Sequence, residues 1–95
     1  MIEVYVAAQA ELDLANAAVF LAEVSPLAAR RLFDDVAVAL DRLAVFPGIG
    51  HPHPDLQGHS LSVYVVGHWY LIYDPTSVPL VVQRLVHSSR SLRDI

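Results

Sequence analysis

The sequence predicts a small α+β domain in which a helical hairpin packs on one face of a mainly antiparallel sheet. Two long segments in the first half of the chain have helical periodicity and contain no glycine. Three apolar segments of strand length occupy the second half, separated by short turns. With one alternating segment at the N-terminus, the predicted order is β-α-α-β-β-β. Because 95 residues suffice for one small core, residues 1–95 are treated as a single domain.

The N-terminal segment predicts a short strand followed by a helix. Residues 2–6 alternate, as in a strand with one face in the core, and residues 8–24 contain many Ala and Leu but no glycine or proline. The apolar positions of this helix form two adjacent stripes: Leu12, Ala15, Val19 and Ala22, and beside them Leu14, Ala18 and Leu21. So wide an apolar sector is expected of a helix covered on two sides. Its polar residues are expected in solvent: Glu11, Asp13, Asn16 and Glu23.

A second helix is predicted from Pro26 to about Val45. Ser25 suits the N-cap position, and proline fits the first helical position because its missing N–H needs no partner there. Its apolar residues recur at helical spacing: Ala29, Phe33, Val36, Leu40 and Leu43. On the outer side, i, i+4 ion pairs are expected between Arg30 and Asp34 and between Arg31 and Asp35, each worth a few tenths of a kcal/mol.

The second half of the chain predicts an antiparallel meander. Residues 47–60 contain three Pro, three Gly and three His, which indicates an irregular loop. Strands are predicted at about 61–66, 69–74 and 80–86, with turns at 67–68 and 75–79. Sequential strands joined by short turns pair antiparallel.

The composition favours a protein that contacts other proteins. Hydrophobic residues make up 55% of the chain and charged residues 17%, so an exposed apolar patch is expected. Charged residues and proline interrupt every apolar segment, so no membrane span is predicted. The N-terminus lacks the basic start of a signal peptide, and there is no Cys. We therefore expect a cytoplasmic location.

The cations are concentrated at the C-terminal end. The chain has no Lys, and its formal net charge of −4 argues against broad nucleic-acid binding. Three of the six arginines, Arg84, Arg90 and Arg93, lie in the last twelve residues beside one acid, Asp94. Together with His87 they are interpreted as a contact surface for an acidic or anionic target. In the alternative interpretation, Arg84 pairs with an acid across the sheet and the tail is frayed.

Two other groups of side chains are candidates for chemistry. His51, His53 and His59 would suit a metal, but no carboxylate or Cys stands at a recurrent spacing, so a surface loop is favoured and no metal or other cofactor is expected. Tyr70 and Tyr73 fall on opposite faces of their strand. One is expected in the core, and the other is a candidate for contact with a target.

Several short motifs, in order, indicate a family. Leu43, Pro47 and Gly50 form a Leu-x-x-x-Pro-x-x-Gly loop; Val66-Gly67 ends one strand, Tyr73 lies in the next, and Arg84-x-x-His87-x-x-Arg90 ends the last. In these features the chain resembles the RelE/ParE superfamily of toxins from type II toxin–antitoxin systems, and it is closer to ParE. The resemblance covers nearly the whole chain.

The resemblance implies two possible activities. ParE-like toxins inhibit DNA gyrase without being enzymes, whereas RelE-like toxins are ribosome-dependent mRNA endonucleases. No Lys or Arg lies between Pro47 and Val66, and only Arg84, His87 and Arg90 remain as a catalytic cluster if the protein is a nuclease. The gyrase-type, nonenzymatic interpretation is therefore favoured. Ser62 and His68 stand where ParE members commonly have Arg, so a weakened or inactive toxin that only binds is a third interpretation.

The resemblance also implies a partner. A co-encoded ParD-like antitoxin is expected to fold its disordered tail over the helical hairpin. The residues expected to contact it are Arg30, Arg31, Arg42, Phe20 and Leu21. The residues expected to contact the target are Arg84, His87, Arg90, Arg93 and Tyr73. Direct sequence-specific binding of nucleic acid is not expected.

Overall fold

The computed structural model describes residues 1–56, 60–93 and 95. Its helices and strands are β1 (Val4–Val6), α1 (Ala8–Val24), α2 (Pro26–Val45), β2 (Ser62–Val66), β3 (Trp69–Tyr73) and β4 (Leu80–His87). Short 3-10 turns at Pro47–Ile49 and Pro54–Leu56 lie in the loop between α2 and β2. The predicted α+β class and element order are confirmed, and both helices have the predicted bounds.

The four strands form one mixed sheet in the order β1-β4-β3-β2. The predicted meander is confirmed, since β2 pairs antiparallel with β3 and β3 antiparallel with β4. The helical hairpin carries the chain from β1 across the sheet, so that β1 pairs parallel with the last strand. Gly67 has a φ of 59° in the turn between β2 and β3, a conformation that glycine adopts without steric cost.

Helix α2 begins as predicted but faces the core with a different stripe. The Ser25 Oγ accepts a hydrogen bond from the Ala28 N–H at 3.3 Å, and Pro26 is the first helical residue. The buried residues are Ala29, Leu32, Val36, Ala39 and Leu43. Phe33 is 47% exposed, so its predicted place on the inner stripe is wrong. Leu32, about 100° around the helix, takes that place in a stripe with alternating spacings of three and four.

Helix α1 is covered on one side, not on two. The residues that it buries are small: Ala10, Ala17 and Ala18. Leu14 and Leu21 are partly buried against the core, while the predicted stripe of Leu12, Ala15, Val19 and Ala22 faces solvent. The prediction of two covered sides is therefore wrong for the isolated chain. Alanines face the rest of the domain, where small side chains permit close packing.

Both faces of the sheet are covered. The larger cluster lies between the helices and the sheet and includes Leu43, Leu71 and Leu80. The smaller cluster joins sheet residues to the loop and to the C-terminal segment: Leu56, Val63, Ile72, Val86 and Leu92. Leu92 is fully buried, so the alternative of a frayed tail is wrong for this segment. Within the described residues, neither helix is both long and apolar enough to cross a membrane.

Candidate functional site

Asp13 of α1 closes the free edge of β4. Strand β1 pairs with β4 only as far as Val82, so in the described residues the part of β4 beyond Val82 has a strand, β3, on one edge alone. The Asp13 Oδ2 accepts a hydrogen bond from the Leu85 N–H at 3.1 Å and one from the Arg84 Nε at 2.7 Å. The Arg84 Nη2 donates to the other carboxylate oxygen at 3.3 Å. This Asp13–Arg84 pair fixes α1 to the end of the sheet.

The carboxyl group of Asp13 is held in its charged form. Burial by itself would raise its pKa, but the hydrogen bonds from Arg84, Gln9 and the Leu85 N–H, with the charge of the guanidinium, leave the pKa below its ordinary value. The side chains of Arg84 and Asp13 are only 22% and 11% exposed. The expectation that Asp13 faces solvent is wrong. Arg84 pairs with an acid, as the alternative interpretation had it, but the acid comes from α1 and not from the sheet.

The other residues of the C-terminal motif lie at the surface. The His87 ring makes a T-shaped contact with Trp69, with centroids 5.1 Å apart, and its centroid lies 6.3 Å from that of His68. The His87 Nδ1 accepts a hydrogen bond from the Ser89 N–H at 3.1 Å and lies 2.7 Å from the Ser89 Oγ, so this nitrogen is engaged within the chain. Arg90 is exposed. The motif therefore divides into an arginine bound within the chain and two exposed groups.

An open groove of about 320 Å³ lies between α1 and the end of β4. Its apolar lining includes Ala17, Phe20, Trp69 and Leu85, and its polar lining consists of Asp13, Asn16, His87 and Arg90. It brings together Phe20, which was predicted to contact an antitoxin, with two residues predicted to contact a target. Asn16 and Trp69 were not predicted here, because their approach depends on how α1 crosses the sheet.

Tyr73 is a core residue, and its predicted contact with a target is corrected. Its side chain is fully buried; its hydroxyl donates to the Pro47 carbonyl oxygen at 2.7 Å and accepts from the Gly50 N–H at 2.9 Å. Burial raises its pKa despite the opposing effect of the Gly50 N–H. A Cβ on Gly50 would lie 2.5 Å from the Tyr73 Oη and 2.9 Å from the Val63 carbonyl oxygen. The loop motif and Tyr73 thus form one structural unit.

A known protein family matches nearly the whole of this chain. The model of the ParE toxin of type II toxin–antitoxin systems matches residues 4–92, which span every helix and strand of the domain. The chain belongs to the ParE toxin family. No curated protein matches it. The predicted resemblance is thereby confirmed.

In this ParE-family chain, part of the predicted antitoxin-binding set lies around Trp69. Leu21 and Arg31 line a second groove, of about 210 Å³, which shares Trp69 with the first. Phe20 is 63% exposed and lies in the first groove. Leu21 is partly buried against the core, so its accessible part is small.

The remaining arginines of the predicted sites differ in their contacts. The Arg42 Nη1 donates to the Tyr64 hydroxyl at 3.3 Å, and the Arg93 Nε lies 3.3 Å from the Asp55 Oδ1. Arg30 is exposed on α2. Within the described chain, the expected ion pairs of Arg30 with Asp34 and Arg31 with Asp35 are not formed. The two arginines are thus left to solvent or to a partner.

His51 and His53 of the loop have structural contacts. The main chain of His51 pairs with Val63, and the His53 Nδ1 accepts the Asp55 N–H at 3.1 Å. His59 lies outside the described residues. Over residues 1–56, 60–93 and 95, no three His, Asp or Glu side chains converge in a metal-binding arrangement.

Proposed function

We propose that this ParE-family chain is a nonenzymatic toxin that inhibits DNA gyrase in the cytoplasm by protein contact, and that a co-encoded ParD-like antitoxin neutralises it. The observation that carries the nonenzymatic part is the division of the C-terminal motif. RNA cleavage requires cations and an acid or base that converge on one phosphate. Arg84 is instead bound to Asp13, and the His87 Nδ1 accepts the Ser89 N–H. This arrangement leaves His87 Nε2 and Arg90 as contact groups.

The electrostatics also favour a protein target. The chain has no Lys and a net charge of −4, and such a surface is repelled by the phosphates of the ribosome. Arg90, which lines the same groove as His87, places a positive charge on this acidic body. Such a local contrast suits a contact with acidic side chains of another protein, where charge complementarity determines specificity.

The exposed side of α1 supports the antitoxin part of the proposal. A helix that is apolar around most of its circumference is normally buried, yet Leu12, Val19 and Phe20 are exposed in the isolated chain. An antitoxin helix laid along α1 and the adjoining hairpin would bury these side chains. Arg30 and Arg31 are available for its acidic residues.

A reconstituted assay tests the target. The purified chain is expected to block DNA supercoiling by gyrase and to leave mRNA intact in the presence of ribosomes. Arg90→Ala should weaken gyrase inhibition about tenfold or more, as expected on loss of a charged contact. Gln83→Ala, an exposed substitution on β4, the strand that precedes Arg90, is the matched control.

The results also separate the alternatives. Cleavage of mRNA only with ribosomes present would replace this proposal by the RelE-like activity. A chain that binds its antitoxin but has neither effect would be an inactive toxin that acts only as a binding module. Unchanged growth arrest after replacement of Arg84, His87 and Arg90, each by Ala, would remove the C-terminal motif from the contact surface.

A further inference from the structure

We propose that a cavity between α1, α2 and the sheet binds a small primary amine, whose apolar body lies between the layers and whose ammonium group contacts Glu11. The cavity has a volume of about 180 Å³ and is lined by residues of both helices and of β1, β3 and β4. It does not include Trp69, which the two grooves described above share. The site is independent of the proposed function, because neither gyrase nor an antitoxin is needed to fill it.

The small side chain of Ala10 explains why this space is open. Ala10 is 2% exposed and lines the cavity together with Val36 of α2 and Leu71 of β3. Protein interiors are normally close-packed, and one methyl group does not fill a gap between layers that are held apart by valine and leucine side chains. Val36 and Leu71 belong to the core cluster, so they could close the space only by giving up their own contacts.

The walls of the cavity select an apolar body. All of the lining side chains except Glu11 are apolar, and most of them are buried or partly buried in the core: Val6, Ala10, Leu14, Val36, Leu40, Leu71, Val82 and Leu85. Such walls offer a water molecule few hydrogen-bond partners, and an engineered apolar cavity of about 150 Å³ stays dry and binds benzene. The body of the ligand is therefore an apolar group of about six carbon atoms.

Glu11 selects the charge of the ligand. It is the exposed residue of the lining, so it marks the mouth of the cavity. Within the described residues, its carboxylate forms no ion pair. A carboxylate on a chain of net charge −4 attracts a cation, and an ammonium group can donate hydrogen bonds to it while the apolar body stays inside.

The same features disfavour other occupants. An anion would be repelled by the carboxylate at the mouth. The volume lies below the 300 Å³ or so at which ordinary ligand sites begin, so a nucleotide or a long acyl chain does not fit. A segment of another protein would bring backbone polar groups against walls that cannot bond them. A second copy of this chain would also add a further net charge of −4.

Benzylamine is the probe, because it joins a six-carbon ring to one ammonium group. In NMR spectra of the whole chain, the methyl signals of Leu14, Leu40 and Val82 should shift saturably, with a dissociation constant of about 1 mM. The emission of Trp69 should not change, because Trp69 does not line the cavity.

Three molecules related to benzylamine are the controls. Benzyl alcohol keeps the ring but lacks the charge, and it should bind about threefold more weakly, as expected on loss of one exposed ion pair. Benzoate reverses the charge and methylamine lacks the ring, and each should bind at least about tenfold more weakly than benzylamine.

Two variants locate the probe in the cavity. Ala10→Leu fills the space and should weaken benzylamine binding at least about tenfold; Ala15→Leu, an exposed change on the same helix, is its control. Glu11→Gln should weaken benzylamine binding about threefold and leave benzyl alcohol binding unchanged. Its control is Glu23→Gln, at the other end of α1 and also exposed. Circular dichroism checks folding, and if Ala10→Leu does not fold, Glu11→Gln and the series of probes decide.

Four outcomes would overturn the proposal. The first is the absence of a saturable shift up to about 20 mM benzylamine. The second is equal binding of benzylamine to the wild type and to a folded Ala10→Leu variant. The third is binding of benzoate or benzyl alcohol as tight as that of benzylamine. The fourth is a shift that depends only on the concentration of the chain, which would place a second copy at the cavity.

Discussion

The two stretches that carry the family resemblance have different roles in the structure. The loop from Pro47 to Gly50 is joined to Tyr73 by hydrogen bonds of 2.7 and 2.9 Å, and the tyrosine is fully buried. The stretch from Arg84 to Arg90 begins with an arginine that is bound to Asp13 and largely buried, and it ends with the exposed Arg90. A family motif therefore combines residues that build the fold with residues that are free to bind. Burial and bonding distinguish them where sequence pattern does not.

The largest effect is expected from Gly50→Ala in the loop. Its backbone is extended, with φ −72° and ψ 176°, so the requirement for glycine is one of space. The new Cβ would lie 2.8 Å from the Tyr73 Cε1 and 2.9 Å from the Val63 carbonyl oxygen. Because the ring is buried and the carbonyl belongs to the sheet, we expect a loss of about 3 kcal/mol in the free energy of unfolding. Urea denaturation measures it.

Gly48→Ala is the matched control for that substitution. A Cβ there meets no atom within 4 Å, so the unfolding free energy should change by less than about 0.5 kcal/mol. Equal effects of the two substitutions would mean that the loop does not pack against Tyr73 as described.

The next effect is expected at the buried start of the C-terminal motif. Asp13→Ala leaves the Arg84 guanidinium and the Leu85 N–H without their partner, at a cost of about 2 kcal/mol in unfolding free energy. Because the folded-state pKa of Asp13 is lowered, its stabilising contribution is complete above its ordinary pKa of 3.8 and is lost as the pH falls through the lower folded value. The stability difference between the wild type and Asp13→Asn should therefore shrink on acidification below about pH 4.

A constant difference down to pH 2 would show that the charge of Asp13 does not stabilise the fold. Glu11→Gln, an exposed change on the same helix, controls for the general effect of a removed acidic charge.

Tyr73→Phe is expected to have a smaller effect on the loop. The ring remains in the core, but the Pro47 carbonyl and the Gly50 N–H lose their hydroxyl partner, which costs about 1 kcal/mol of unfolding free energy. The raised pKa of Tyr73 adds a pH signature. Its neutral form stabilises the fold below the ordinary pKa of 10.0, and this contribution is lost as the pH rises through the higher folded value. Tyr73→Phe should lack that alkaline loss, as thermal unfolding near pH 10 would show.

The helices and strands could be predicted from the sequence because their signals come from residues that are close together in the chain. The periodicity and the Ser25-Pro26 start predicted the bounds of both helices, and the short turns predicted the antiparallel meander of the last three strands. The inner side of α1 was not predictable by hydropathy, since both of its stripes are apolar. The size of Ala10, Ala17 and Ala18 decides that choice through close packing against the rest of the domain.

The candidate site could not be predicted in the same way, because its residues meet through contacts between distant parts of the chain. Asp13 and Arg84 are 71 positions apart, and Gly50 and Tyr73 are 23 apart. The register of β4 also shifts beside Ile72 and Tyr73. Val82 and Leu85 therefore face the same core cluster, although strict alternation would separate them. Strand parity counted from the start of β4 would therefore misplace the side chains that follow the bulge.

The smallest effect on stability is expected from Arg93→Ala, at the exposed end of the tail. The Arg93 side chain is 80% exposed and lies 3.3 Å from the Asp55 carboxylate, so the pair is screened by solvent and should contribute less than about 0.5 kcal/mol.

Leu92, which is fully buried beside it, holds the tail on the sheet by apolar packing. Leu92→Ala should therefore cost about 2 kcal/mol or more. If Arg93→Ala instead destabilised the domain as much as Leu92→Ala, the ion pair with Asp55 would anchor the tail. The whole C-terminal segment would then stabilise the fold, as the loop that contacts Tyr73 does.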